Sequence, residues 1–260
     1  MVLAIDIGNI RTAIALFYDN GKLSFLSELG TDSKLTEDQY AIALLDIFRL
    51  YGADMRSVSG AILSCVVPSM IRVCTNAVHR LTGKKPLVVG PGLKTGLNIK
   101  ADVHNQLGSD IVASAVAATA LYPSPVIVIN SHTAVSFSYM NNASFEGCSI
   151  MPGIRIALEA LSRNGAQLPH ISIDEVQSPL GRNTVDSMRA GIVYGYAGAI
   201  DRLIEQLESA AGAPAATVVV TGENFPEVFR HCAHRLNYDH DLLVNGLFLL
   251  YKKNTEKSRH

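Results

Sequence analysis

One pattern is written twice in this chain. Val2-Leu3-Ala4-Ile5-Asp6-Ile7 is an apolar run that ends in a polar turn, Gly8-Asn9-Ile10-Arg11-Thr12, and a second apolar run, Ala13 to Phe17, leaves the turn at once. Asn20-Gly21 then gives a hairpin turn and Leu23 to Leu29 returns as a third strand. The same succession restarts at Val126: Val126 to Ile129, the polar stretch Asn130-Ser131-His132-Thr133, the run Ala134 to Met140, the turn Asn141-Asn142, and a strand near Phe145 to Ile150. A chain carrying strand, turn, strand, turn, strand in each half is confined to a duplicated architecture.

The stretches between the copies supply helices. Thr36 to Leu50 places Tyr40, Ala43, Leu44, Ile47 and Phe48 at amphipathic spacing and stops at Gly52, and Met70 to Leu81 stops at Gly83. Gly60 to Val67, closed by Pro68, is a continuous apolar run and reads as a buried parallel strand, with Pro86 to Val89 as a shorter one. Gly90-Pro91-Gly92-Leu93-Lys94-Thr95-Gly96-Leu97 is too rich in glycine for a helix interior, and a loop of that length in a compact chain is usually functional. An alanine-rich helix from Ser109 to Leu121 ends before Pro123 and Pro125, which predicts two halves, residues 1–121 and 122–260. Further helices are expected over Ile154 to Arg163, from Gly181-Arg182-Asn183-Thr184 to about Ala211, and over Leu242 to Tyr251, with a buried strand at Thr217 to Val220 and a frayed charged tail.

Duplicated three-strand units with helices, each offering a polar turn to a shared cleft, describe an α/β protein of two ribonuclease H-like domains of the actin, hexokinase and Hsp70 type, mixed sheets flanked by helices. That is a statement about fold and carries no function by itself. The first turn has chemistry of its own. A strand delivers Asp6 to the sheet edge, Gly8 lets backbone approach an anion without a Cβ in the way, and turn N–H groups point at the charge. Asp6 would repel a phosphate directly, so its task would be to hold a cation or the cation's water. An ordinary hairpin turn uses the same residue types.

Composition excludes other classes. The hydrophobic share is 48%, charged residues make up 17%, and the net charge is −1, with basic residues gathered only in the tail at Lys252, Lys253, Lys257 and Arg259. Nucleic acid is therefore not an expected partner. Asp6 interrupts the first apolar run, and no stretch reaches membrane-spanning length, so a cytoplasmic protein without membrane contact is expected. Cys65, Cys74, Cys148 and Cys232 are far apart and read as small buried hydrophobes, not as metal ligands or disulfides. Gly191, Gly195 and Gly198 fall on one face of a predicted helix, where each costs about 1 kcal/mol relative to alanine. A close approach should offset this, either by a second backbone, from this chain or a symmetric partner, or by the domain's own sheet.

With these positions in place, the sequence resembles the type III pantothenate kinases over nearly its whole length, from Leu3 to Asn254. The matching segments are Asp6-Ile7-Gly8-Asn9, Gly90 to Leu97, Gly108-Ser109-Asp110, Pro152-Gly153-Ile154, Gly181 to Val185 and Gly246-Leu247, and their order carries the resemblance more than any one motif. The resemblance implies a homodimer that phosphorylates pantothenate from ATP with Mg2+, in the first step of coenzyme A biosynthesis. It implies ATP phosphate contacts from Asp6, Ile7, Gly8, Asn9, Ile10, Arg11, Thr12, Ala13 and Thr133, with Asp6 placing the divalent cation. Asp110 matches the general base, Ala101, Gly108, Ser109, Asp110 and Ile111 the substrate segment, and Thr184 a pantothenate contact near the dimer interface.

The chain also departs from the family pattern. Gly-Ala-Asp-Arg is here Gly108-Ser109-Asp110-Ile111, which removes an arginine–carboxylate bond of roughly 1.5 to 3 kcal/mol. An upstream tyrosine is Ala101, an asparagine is Ser114, and a threonine of the first turn is Ile10. Asp-Phe-Gly-Thr has become Asn130-Ser131-His132-Thr133, so the position that in the family holds a monovalent cation, K+ or NH4+, has lost its carboxylate. Thr-Gly-Gly has become Thr221-Gly222-Glu223, which sets a carboxylate where ATP would lie. Three readings follow: a working pantothenate kinase, a kinase for another small alcohol without a carboxylate, and a catalytically degenerate homologue that serves as a dimeric ligand-binding or regulatory protein.

Overall fold

A computed structural model describes residues 1–100 and 107–256. The first strands are β1 (Val2–Ile7), β2 (Arg11–Phe17), β3 (Leu23–Gly30), β4 (Gly60–Cys65) and β5 (Leu87–Val88). They form a sheet in the order β3-β2-β1-β4-β5. The hairpin pairs run antiparallel, and β1 with β4 and β4 with β5 run parallel. Helix α1 (Glu37–Leu50) starts at a capping box in which the Thr36 hydroxyl accepts from the Gln39 N–H and the Gln39 side chain accepts from the Thr36 N–H. Helix α2 (Pro68–Thr82) begins with proline at its first position and ends on Gly83 at φ 68°. Tyr40, Leu44, Ile47 and Phe48 of α1 and Met70, Cys74, Ala77 and Val78 of α2 cover one face of this sheet together with Leu3, Ile5 and Ile7.

The second sheet is built from β6 (Asn98–Ile99), β7 (Val126–Ser131), β8 (Ala134–Asn141), β9 (Ser144–Pro152), β10 (Thr217–Gly222) and β11 (Asn237–Tyr238), in the order β11-β10-β7-β8-β9-β6. Without β6 this is the first sheet repeated, with β7 in the place of β1 and β10 in the place of β4, and with the same pattern of antiparallel and parallel pairs. The duplication expected from the sequence is therefore present strand for strand. Helices α3 (Ser109–Leu121), α4 (Ile154–Asn164), α5 (Thr184–Ala211), α6 (Pro226–Phe229) and α7 (Leu242–Thr255) complete the chain. Val193, Tyr196, Ala197, Ile200 and Ile204 of α5 lie against Ile127, Ile129, Phe137, Val218 and Val220 of the second sheet.

The chain divides into two compact units. One holds Met1–Leu97, α3 as far as Ala117, and the chain from Asp241 through α7; the other holds β6 and Ala118–His240. Residues 122–260 were expected to stay together, but α7 packs with the first unit. Its Leu243, Val244, Leu247 and Phe248 join Val2, Ala4, Val112, Ala113 and Val116 in one apolar cluster. Gly246 makes this possible, because a Cβ there would strike the Ala113 backbone carbonyl. The small side chains of alanine-rich α3 allow this close crossing.

Two expectations need correction. Among the described residues, and apart from α5's own backbone, no atom lies within 4 Å of a Cβ built on Gly191, Gly195 or Gly198, so neither the sheet nor another described stretch of backbone crowds this face. The buried side of α5 is the side carrying Val193, Tyr196 and Ala197, and the glycines face away from it. The cysteines also differ from one another. Cys74 is buried, Cys65 and Cys232 are half-buried, and Cys148 is exposed on β9. The tail expected to fray and the substrate position Ala101 lie at least in part outside the described residues, Ala101 wholly so.

Candidate active site

The first turn is positioned by three strands. Asp6 is 7% exposed and faces Ala13 of β2 and Ser64 of β4 in register. Gly8 to Arg11 span the turn, closed by the Gly8 N–H donating to the Arg11 carbonyl at 2.9 Å. Ile7 is fully buried and Ala13 half-buried, whereas Asn9, Ile10 and Arg11 are exposed. The Arg11 guanidinium sits 3.2 Å from Glu28, and the Thr12 hydroxyl lies 2.9 Å from that of Thr31. Ile7 can therefore serve a ligand at this turn only through its backbone, and Thr12 has its hydroxyl engaged.

A chain of hydroxyls ties this turn to the start of α3. The Cys65 N–H donates to Ser109 Oγ at 3.1 Å, Ser109 Oγ lies 2.8 Å from Ser64 Oγ, and Ser64 faces Asp6 in register and acts to lower its carboxyl. Asp110 follows Ser109 and is close enough to act on Asp6 electrostatically. Burial above all, then the Asp110 charge, push the Asp6 carboxyl up to about 7, against the lowering effect of Ser64. The Asp6 Oδ1 atom is buried without a hydrogen-bond partner. An acid made uncomfortable by burial, with one oxygen free, fits a divalent cation, whose charge would restore the ionised form. Ser64 was not foreseen as part of this site, although laying Gly60 to Cys65 against Val2 to Ile7 as parallel strands pairs it with Asp6.

Gly108, just before α3, and Asp110 within it are half-buried, Ile111 is buried, and Ser114 is fully buried with its hydroxyl donating to the Asp110 carbonyl at 2.9 Å. Ile111, expected in the substrate segment, is therefore an aliphatic side chain buried at the start of α3.

In the second unit the turn equivalent to Gly8–Arg11 is His132–Ala134, one residue shorter, because Ile7 pairs with Thr12 but Ser131 pairs with Val135. Asn130 takes the place of Asp6, facing Ser136 of β8 and Thr221 of β10. It is 2% exposed, and neither its Oδ1 nor its Nδ2 has a hydrogen-bond partner among the described residues. A monovalent cation asks for oxygen donors and benefits from a formal charge. A neutral amide that also turns its NH2 group into the same space does not suit one. Thr133 is held against α4, since the Gly153 N–H donates to its carbonyl at 3.0 Å. A side chain at Gly153 would run into the His132 and Thr133 carbonyls.

Glu223 is also part of this turn. Its N–H donates to the Ser131 carbonyl at 2.6 Å, after Gly222 has taken φ 92° with the His132 ring close beside it. The Glu223 carboxylate is 9% exposed and lies 3.3 Å from Arg155 Nη2, in the first turn of α4. The acid is thus drawn aside and neutralised. Arg155 was not foreseen, and nothing in the spacing of the two residues announces their pairing. Thr184 belongs to a different place. It lines a cavity of about 580 Å3 with Arg182, Asn183, Met188, Leu161 and Leu168, between the start of α5 and the end of α4.

Comparison with known proteins gives one family. The model of the type III pantothenate kinase family matches residues 2–206. A type III pantothenate kinase of Geobacillus thermodenitrificans is 36% identical over 262 residues, covering 99% of each chain. Another from Brevibacillus brevis is 37% identical over 258 residues, covering 98% of this chain and 99% of its own. Among solved structures, the activator of the 2-hydroxyisocaproyl-CoA dehydratase of Clostridium difficile, with bound ADPNP, superposes with a TM-score of 0.57 at 9% identity, covering 100% of this chain and 99% of that one. This last likeness concerns the fold alone, which is that of the actin, hexokinase and Hsp70 group.

Proposed function

The chain belongs to the type III pantothenate kinase family, and from that premise we propose that it transfers the γ-phosphoryl group of ATP to the hydroxyl of pantothenate, giving 4'-phosphopantothenate for coenzyme A synthesis. The observation that carries this reading is the meeting of Asp6 and Asp110 in one unit, with an unpartnered buried oxygen on the first. Asp6 would hold Mg2+, which supplies charge neutralisation for the phosphates. The backbone N–H groups of the turn from Gly8 to Ala13 would orient them. Asp110, fixed beside Asp6 by Ser109 and Ser64, would accept the proton of the attacking hydroxyl. Thr133 would contact phosphate and Thr184 pantothenate.

We place the protein as a cytoplasmic homodimer. No helix among the described residues is long and apolar enough to cross a membrane. The open glycine face of α5 suits a second copy of the same helix, which would supply the close backbone that the chain itself does not.

Burial of Ile111 at the substrate segment favours a second reading, an acceptor alcohol that lacks a carboxylate. Paired Glu223 and neutral Asn130 favour a third, a degenerate homologue that binds ligand without turnover. A coupled ADP-release assay with pantothenate, Mg2+ and K+, run beside Asp110→Ala, separates them. Turnover abolished by that substitution supports the kinase. Release equal to the Asp110→Ala control, with ATP binding intact, supports the degenerate homologue. Turnover with panthenol in place of pantothenate supports the second reading.

A further inference from the structure

Asn130 is the least satisfied polar side chain of the second unit. Both ends of its amide are without partners, so exchanging Oδ1 and Nδ2 changes nothing in the argument. Leaving a buried donor or acceptor unpaired costs about 1 to 3 kcal/mol each, and here both occur on one side chain at 2% exposure. The amide therefore holds one unmet acceptor and one unmet donor, which a single group that both donates and accepts would satisfy. Its neighbours across the sheet, Ser136 and Thr221, are hydroxyls, and Ser138, on the same face one pleat further along β8, has a buried Oγ without a partner. The one carboxylate carried by this turn, Glu223, is committed to Arg155. No formal negative charge remains at Asn130 to offset the dehydration of a cation.

We propose that the second turn works without a monovalent cation, and that a water molecule hydrogen-bonded to both ends of the Asn130 amide fills the place the cation would take. A water at such a site needs two to four polar partners, and Asn130 offers it an acceptor and a donor. The protein is then indifferent to K+ and NH4+. This rests on the proposed nucleotide site for its consequence in turnover, but the occupancy of the turn can be read without turnover.

The test is thermal melting of the full chain in KCl, NH4Cl and choline chloride at equal ionic strength, with and without ATP and Mg2+, for the wild type and for Asn130→Asp. The expected result is a wild-type melting temperature and ATP dissociation constant that are the same in all three salts, and an Asn130→Asp protein that is stabilised by K+ relative to choline. Stabilisation of the wild type by K+ alone, or an ATP affinity about tenfold tighter in K+ than in choline, would overturn the inference. If Asn130→Asp does not fold, the wild-type comparison decides alone; if it folds and ignores K+, this turn is not the cation's place and the inference falls. Loss of ADP release with unchanged salt indifference would count against the kinase reading only.

Discussion

Ser64 faces Asp6 in register from the neighbouring parallel strand, and its own hydroxyl lies 2.8 Å from that of Ser109. The Asp6 Oδ1 atom is buried and, among the described residues, has no hydrogen-bond partner.

The first prediction concerns pH and Mg2+. Because the folded-state value of Asp6 is raised from 3.8 to about 7, the native state binds more protons than the unfolded state between these values. Stability from this group is complete below pH 3.8 and is lost as pH rises through about 7. Chemical denaturation of the metal-free protein should show this decline on the order of 4 kcal/mol. Asp6→Asn should flatten it, and Mg2+ with ATP should restore stability near neutral pH. A wild-type profile that is flat without Mg2+ would show that Asp6 is ionised without strain.

The crossing of α7 over α3 gives a second. Gly246→Ala places a methyl group against the Ala113 carbonyl, and overpacking of this kind costs about 1 to 3 kcal/mol. The melting temperature should fall by about 2 to 12 °C for a chain of this size. Gly147→Ala, with nothing within 4 Å of the added carbon, is the control and should lose far less.

A third separates charge from space at the second turn. Arg155→Ala leaves the Glu223 carboxylate at 9% exposure without its cation. The partner arginine is half-exposed, so solvent screens the pair and the loss of stability should stay near 1 kcal/mol. The larger effect should be on ligand binding, since a freed carboxylate repels polyphosphate. ATP affinity measured by calorimetry should weaken in Arg155→Ala and recover in Arg155→Ala with Glu223→Gln.

The glycine face of α5 supplies a fourth. Gly195→Leu adds bulk where the chain has open space, so a monomer should tolerate it. Sedimentation analysis should show a dimer for the wild type and a monomer for this variant, with the far-ultraviolet circular dichroism unchanged. A variant that stays dimeric would assign the interface to another surface.

Much of this was legible beforehand, and for physical reasons. The duplicated strands were readable because their apolar runs are continuous and their turns polar, as in Val2 to Ile7 and Val126 to Ile129. Helix α1 announced both its ends, through Thr36 and Gln39 at the start and Gly52 past the last turn. Asp6 and Asp110 could be named as candidates from the sequence, but Ser64 could not, because its place beside Asp6 comes from the register between β1 and β4 and not from any local motif. The same holds for the pairing of Arg155 with Glu223, which are far apart in sequence and meet only where β10 ends and α4 begins beside one turn. Periodicity placed α7 but could not assign it to a unit, since an apolar helix face does not state which sheet it covers. The glycines of α5 marked a face without saying what would lie against it.

The return of α7 to β1 and α3 bears on how the protein is made. The unit containing Ala118–His240 is almost continuous in sequence and has all its strands once β11 has emerged from the ribosome. The unit that begins at Met1 has to wait, because Leu243, Val244, Leu247 and Phe248, which cover Val2 and Ala4, are made after the whole of Ala118–His240. The amino-terminal sheet is thus the later of the two to be sealed during translation, and a nascent chain stalled before Leu242 would carry a finished second half beside a first half open along one side.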